Sequence, residues 1–234
     1  MLLLSLKPLK AVDRTEIYNA YISGRMDLWK KVIDRMNSIE NKSDSFLLEL
    51  VNYQYGYIGY CISYNKEKEA VKYLDLAGEN IDFLEKQKFK LSSVYAYRSA
   101  FYGMRMELNP LLVPFYGLKS IRYARLALEL DGNNYLAWLQ NGYVKSNSPA
   151  SAGGSKKEGL EFYVKAREII EMDAAAMKEN WNYLNVLTII GQSYHTLGDY
   201  PASRDIFQHI LRLEPLFTYV RDDLYPALLK EMKQ

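Results

Sequence analysis

Apolar and aromatic residues recur at intervals of three and four along almost the whole chain, which is the period of an amphipathic α-helix. Alternation with period two, which would indicate strands, is not sustained in any part of the sequence. The pattern therefore predicts an all-α protein. Glycine, proline, asparagine and serine interrupt it and predict ten or eleven helices, at 13–23, 26–40, 44–64, 67–86, 90–108, 116–131, 134–146, 156–172, 176–197, 200–213 and 222–232.

The segment Leu184–Phe217 is the most regular part of the chain, with two predicted helices joined by Gly198-Asp199-Tyr200. Gly191 and Ser203 are small at positions where two helices of a hairpin would cross closely. In the spacing of its large and small residues, the segment resembles a tetratricopeptide repeat. Weaker copies of this unit precede it, with their small residues at Gly142 and Gly159, Ala100 and Ala124, Gly59 and Ala70, and Gly24.

The resemblance implies a single tetratricopeptide-like domain over residues 13–234, preceded by an N-terminal extension over residues 1–12. In this fold about five helical hairpins stack into a right-handed α-α superhelix, and the first helix of each hairpin lines a concave groove. We expect the last helix, 222–232, to cap the final apolar face. Two capping boxes are predicted at helix starts, Asp13 with Glu16 and Ser155 with Glu158.

A loop between two predicted helices carries a second resemblance. The run 147–159, with Pro149, Gly153 and Gly154, is similar to the Pro…Gly-Gly-Asp loop of the T-component of tripartite ATP-independent periplasmic transporters and of related microtubule-dynamics regulators, although Ser155 replaces the Asp. This similarity covers residues 92–172 and implies a helical-repeat accessory protein, which in the transporter branch is periplasmic with an apolar ligand channel.

The same loop could either bind an anion or simply form a turn before the next helix. The N–H groups of Gly153, Gly154 and Ser155 precede Lys156 and Lys157 at a helix start, where an anion would be favoured. Alternatively, Ser155 caps the helix and the glycines form a tight turn. The second interpretation accounts for the same residues without a ligand.

Composition narrows the classes of function. The chain has 234 residues, with 30 Lys and Arg against 28 Asp and Glu, so its net charge of +2 argues against a nucleic-acid partner. No stretch reaches the roughly 18 apolar residues that cross a bilayer, so we expect no membrane-spanning helix. The single cysteine, Cys61, excludes an internal disulfide.

The first residues leave the compartment open. Met1–Leu6 is apolar and is followed directly by Lys7-Pro8. One interpretation is a truncated signal peptide, with an exported or periplasmic mature chain that begins near Ala11; the other is an apolar strand or coil in a cytoplasmic protein.

Tyrosine is the most unusual part of the composition, with 21 Tyr against 8 Phe. The tyrosines crowd the first helices of two predicted hairpins, and one of these also carries Arg98 and Arg105, seven residues apart. Tyr and Arg are common at binding hot spots, whereas a buried Tyr can also be packing with a hydrogen-bonded tip. The predicted groove residues are Tyr53, Tyr57, Tyr60, Arg98, Tyr102, Arg105, Tyr143, Asn185, Thr188, Gln192 and His195.

Catalytic and metal sites lack support in the sequence. His195 and His209 have no partner at the spacing of metal ligands, and no Gly-x-Ser-x-Gly motif is present. We expect no enzyme, no metal and no cofactor, since an enzyme that acts through His195 would need a carboxylate or thiol close in space. The leading hypothesis is a module that binds a peptide or protein segment in its groove, and the alternative is a periplasmic small-ligand carrier or transporter accessory protein with an apolar channel.

Overall fold

The computed structural model of the chain describes residues 9–233, with side chains from Asp13 onward. Over these residues it contains helices joined by loops and no strand. Residues 1–8 of the predicted N-terminal extension lie outside the described residues, and residues 9–12 belong to the first helix. The α-helices are α1 Leu9–Ile22, α2 Met26–Asn37, α3 Asp44–Ser63, α4 Glu67–Lys86, α5 Leu91–Leu108, α6 Val113–Leu130, α7 Tyr135–Asn147, α8 Lys156–Glu171, α9 Ala174–Met177, α10 Trp181–Thr196, α11 Tyr200–Leu213 and α12 Tyr225–Glu231.

The all-α class predicted from the sequence is confirmed, and most helix ends lie within a few residues of their predicted positions. The prediction was wrong for the helix at 176–197, which is divided into α9 and α10. Glu179 adopts φ of 48° between them, a left-handed conformation that an α-helix cannot continue through. The side chain of Asn180 then caps α10 by accepting a hydrogen bond from the Asn182 N–H at 3.0 Å.

Consecutive helices pack as hairpins, α1 with α2, α3 with α4, α5 with α6, α7 with α8 and α10 with α11. The close crossing predicted in the last of these is confirmed. A Cβ on Gly191 would lie 2.4 Å from the Phe207 ring, and the Ser203 hydroxyl donates a hydrogen bond of 2.8 Å to the Gly191 carbonyl. Small residues therefore allow these two helices to approach each other.

The first described helix, α1, contacts the residues that follow α11. The hydroxyl of Tyr18 in α1 donates a hydrogen bond of 2.9 Å to Glu214, and Thr218 donates one of 3.2 Å to the Ile22 carbonyl. In an open solenoid each repeat contacts only its neighbours in sequence. These contacts join the first hairpin to the residues that follow the last hairpin, so a tetratricopeptide-like superhelix with a free groove is not confirmed.

Aromatic side chains of α2, α3, α5 and α10 pack against one another. The ring of Tyr55 in α3 lies 5.7 Å from that of Tyr97 in α5 and 6.4 Å from that of Trp181 in α10. Trp29 lies 5.0 Å from Trp181, and a Cβ on Gly56 would lie within 3 Å of both indoles. Burial of large rings removes apolar surface from water and stabilises a fold. These residues therefore form a packed centre and do not line a solvent-filled groove.

The capping box predicted for Asp13 and Glu16 was wrong, whereas the serine cap predicted at Ser155 is confirmed. Because α1 begins at Leu9, Asp13 and Glu16 lie inside it, and both carboxylates accept hydrogen bonds from Arg35 of α2. Ser155 accepts a hydrogen bond from the Glu158 N–H at 3.2 Å at the start of α8. Within residues 9–233, no helix combines the length and apolar character needed to cross a bilayer.

Candidate functional site

The polar residues predicted on α10 contact other parts of the same chain. Asn185 accepts a hydrogen bond from the Tyr21 hydroxyl at 3.5 Å, and Gln192 donates one of 3.3 Å to the Tyr219 hydroxyl. Thr188 is buried and donates to a carbonyl of its own helix. The α10 surface that we expected to line an open groove is therefore contacted by α1 and by the segment that leads into α12, and it is only partly exposed.

His195 forms a surface pair. Its Nε2 lies 2.9 Å from a carboxylate oxygen of Glu231, and the two side chains are 37% and 45% exposed. The ring of Tyr200 lies 5.4 Å from the imidazole, while Cys61 is buried in α3. A carboxylate is thus close to His195, as an enzyme would require, but the pair is not confined in a cleft.

The tyrosines predicted on α3 and α7 contribute mainly to packing. Tyr53 and Tyr57 are 3% and 2% exposed, so little of either side chain is accessible to a partner in this structure. The Tyr53 hydroxyl donates a hydrogen bond of 2.8 Å to Glu49. Tyr60 and Tyr143 are half-buried. Tyr53 therefore fits the alternative to a groove residue, a packed ring whose hydroxyl forms a hydrogen bond.

The loop before α8 uses its N–H groups internally. Those of Gly153, Gly154 and Ser155 donate to carbonyls at 3.0, 3.0 and 2.8 Å, so they are not free to hold an anion. Gly153 adopts φ of 80°, and a Cβ on Gly154 would lie 1.8 Å from the Ser148 carbonyl oxygen. These contacts favour the interpretation as a tight turn with a serine cap.

Three of the predicted residues, Arg98, Tyr102 and Arg105, line one open cleft between α4, α5 and the start of α6. We call it the α5 cleft. Its volume is about 340 Å³. It is lined by Leu74, Gly78, Ile81, Asp82, Arg98, Phe101, Tyr102, Arg105 and Tyr116.

One side of the α5 cleft is aromatic. The rings of Tyr102 and Tyr116 are stacked, with centroids 4.9 Å apart and an angle of 30° between their planes. The ammonium of Lys119 lies 5.9 Å and 5.6 Å from the two ring centroids, within the range of cation–π attraction. The guanidinium of Arg98 lies 5.6 Å from the ring of Tyr123, whose pKa is raised because the ring is partly buried. The cleft thus places flat rings next to positive charges.

The arginines are already paired with carboxylates of α4. Arg98 donates to Asp82 at 2.8 Å and also to Glu85, and Arg105 donates to Asp75 at 2.8 Å. Arg98 and Arg105 lie seven residues apart, about two turns of α5, and α4 supplies carboxylates to both of them in this structure. Asp75 and Asp82 are more than half exposed, so they can turn toward water if another anion takes their place.

Sequence reasoning did not find Tyr116 and Lys119. They are spaced three residues apart at the start of α6, just after the proline-rich turn. Helical spacing could have paired them with each other, but only the packing of α6 on α5 shows that Tyr116 stacks on Tyr102.

A second, smaller cleft of about 270 Å³ lies between α1, α3 and the start of α10. Its polar lining includes Arg14, Glu49, Asn52 and Asn182. The guanidinium of Arg14 donates to the carbonyls of Lys178 and Glu179 at 2.7 and 3.3 Å, so it joins α1 to the turn before α10.

Comparisons with known proteins support the fold class. No protein-family model matches the chain, and no curated protein matches it. Among solved structures, it is similar to the HusA haemophore from Porphyromonas gingivalis, with a TM-score of 0.63 and 17% sequence identity over 82% of this chain and 96% of that chain. At this identity the similarity shows a shared helical fold and does not support the tetratricopeptide family in particular.

Proposed function

We propose that this protein is a non-enzymatic carrier that binds a flat aromatic molecule with carboxylate groups in the α5 cleft. The observation that carries the proposal is the stacked pair Tyr102 and Tyr116 beside Lys119 and Arg105. The structural neighbour is named a haemophore, so a porphyrin is the first ligand to test.

The cleft has a suitable group for each part of such a ligand. Tyrosine rings offer faces on which a flat ring system stacks, and Leu74, Ile81 and Phe101 provide apolar contact. Lys119 and Arg105 are placed to receive carboxylates at the ligand's edge. These contacts are made with the porphyrin ring and its carboxylates and none of them requires the iron, so we expect a metal-free porphyrin to bind as well as its iron complex.

The test is a fluorescence titration of the protein with protoporphyrin. Because stacking of one flat base on an aromatic side chain contributes about 1–3 kcal/mol, Tyr102→Ala/Tyr116→Ala should weaken binding at least about tenfold. The chain offers a matched control in Tyr60 and Tyr64, whose centroids are 4.7 Å apart and whose neighbour Lys66 lies 4.7 Å from the Tyr60 ring. Tyr60→Ala/Tyr64→Ala should bind normally. No binding by the wild type, or equal losses in both variants, would contradict the proposal.

The peptide-binding role predicted from the sequence is the second candidate, now at the same cleft. It is favoured by the fact that the cleft is open and combines Tyr and Arg, the side chains most common at interface hot spots. Capture of a defined protein partner that is lost in Tyr102→Ala/Arg105→Ala, together with no porphyrin binding by the wild type, would select this role over the carrier.

A further inference from the structure

Large apolar side chains are exposed around the start of α6. Leu111 and Leu118 are each 80% exposed and Phe115 is 68% exposed, while Val113 and Ile121 are also exposed. We call these five residues the α6 tip. Single exposed apolar residues are normal on protein surfaces, but a cluster of neighbours indicates a contact surface.

Positive charge continues along the same surface. Phe115, Leu118, Arg122 and Arg125 are separated by three, four and three residues, so they follow one face of α6. Lys119 and Arg122 are exposed beside the tip. The sequence contains no Asp or Glu between Glu107 and Glu129. An apolar tip is thus followed by cations, with acidic residues only at the ends of the segment.

The acidic groups of the neighbouring helix do not cancel this charge. Asp75 and Asp82 of α4 are bound to Arg105 and Arg98, so each carboxylate already has its own counter-charge. Arg125 pairs with Glu129 at 3.3 Å, whereas Arg122 forms no ion pair within 4 Å with any residue whose side chain the structure describes. The charge next to the tip is therefore available to an anionic surface.

We propose that the α6 tip docks on an anionic lipid bilayer. Phe115, Leu118 and Leu111 enter the boundary between headgroups and acyl chains, and Arg122 with Lys119 contacts the anionic headgroups. This arrangement of apolar side chains next to Lys and Arg is typical of segments that lie in the interface without crossing the membrane. The inference does not rest on porphyrin binding.

A second copy of the chain fits the tip less well. A two-fold interface brings the same patch of both copies together, so Arg122 and Lys119 of one copy would face the same cations of the other. Such like charges repel each other in an interface. An anionic bilayer, in contrast, is complementary in both charge and hydrophobicity.

The experiment is co-sedimentation of the whole protein with vesicles of phosphatidylcholine and phosphatidylserine in a two-to-one ratio, and with vesicles of phosphatidylcholine alone. We expect binding to the anionic vesicles that weakens as salt is added. Phe115→Ser/Leu118→Ser should reduce the partition coefficient at least about tenfold, since two apolar side chains no longer insert. Arg122→Gln should reduce it about fivefold.

Leu213→Ser/Leu216→Ser is the matched control, because these exposed leucines lie at the last residue of α11 and in the loop after it, away from the tip. It should bind vesicles as the wild type does, and circular dichroism should show that all variants keep the same helix content. The proposal is wrong if the wild type does not bind, if it binds neutral vesicles equally well, or if the tip variant and the control lose binding equally. A wild-type dimer or protein complex that forms through the tip in place of vesicle binding would also overturn it.

Discussion

Gln140 of α7 donates a hydrogen bond of 3.2 Å to the hydroxyl of Tyr55 in α3, 85 residues earlier in the chain. Both side chains are buried, so each one satisfies a polar group that water cannot reach. The bond joins the second hairpin to the fourth. It brings the first helices of these two hairpins into direct contact.

The bond should contribute measurably to stability. Tyr55→Phe leaves the ring in place but removes the partner of the buried Gln140 amide, which should lower the free energy of unfolding by about 1–3 kcal/mol. Urea unfolding measures the change. In the variant Tyr55→Phe/Gln140→Leu most of this loss should be recovered, because no unpaired amide remains. A Tyr55→Phe protein as stable as the wild type would show that the bond has no net effect.

Two helical glycines should respond to alanine in opposite ways. A Cβ on Gly191 would lie 2.4 Å from the Phe207 ring, so Gly191→Ala should destabilise the protein by about 1–3 kcal/mol through overpacking. A Cβ on Gly103 would meet no other atom of the described residues within 4 Å, so Gly103→Ala should stabilise α5 by up to about 1 kcal/mol. Thermal unfolding of the two variants checks both signs. Similar changes in the two melting temperatures would contradict the packing at Gly191.

The thiol of Cys61 should be inert in the folded protein. Burial raises its pKa from 9.0 to about 11, because the thiolate would be a charge removed from water. Between these values the thiol of the unfolded chain ionises while the folded one does not, so this group lowers the stability of the fold as pH rises through that window. Below the window both states are protonated and the thiol has no effect.

Alkylation by iodoacetamide tests the state of Cys61 directly. In urea the rate should rise with pH through the ordinary pKa of the thiol, whereas the native protein should stay unreactive over the same range. Equal rates for the native and the unfolded protein would show that the thiol is accessible and its pKa ordinary.

The carboxylates of α4 should compete with an anionic ligand in the α5 cleft. Asp75→Asn removes the partner of Arg105 and should strengthen protoporphyrin binding up to about fivefold, the range expected for one exposed ion pair. Asp222→Asn is a suitable control, because it breaks the pair with Arg221 on a different part of the surface and should leave binding unchanged. Weaker binding by Asp75→Asn would show that the carboxylate positions Arg105 for the ligand.

Helical periodicity was sufficient to place most of the helices, because the residues that set it are neighbours in sequence. The same holds for the small pair Gly191 and Ser203, whose spacing follows from one hairpin. It also holds for Arg98 and Arg105, which lie two turns apart on α5 and face the same cleft. The carboxylates of α4 that pair with these arginines could not be predicted from helical spacing, since no local pattern relates the two helices.

The division between α9 and α10 was missed because it depends on Glu179, a non-glycine residue with a left-handed backbone. Arg14 of α1 bonds to the carbonyls of Lys178 and Glu179 in that turn. Such a conformation is unfavourable on its own and persists where surrounding contacts support it. The contact that supports it comes from the opposite end of the sequence.

The amino-acid sequence alone determined the helices, their hairpins and the excess of tyrosine on the first helices, since these depend on intervals of a few residues. Only the tertiary structure decided which tyrosines are covered. Tyr55 and Tyr97 meet Trp181 in the centre, whereas Tyr102 and Tyr116 remain at an open cleft. The reason is that α1 packs on α10, and that contact depends on side chains more than 150 residues apart, such as Tyr21 and Asn185, which no local pattern relates.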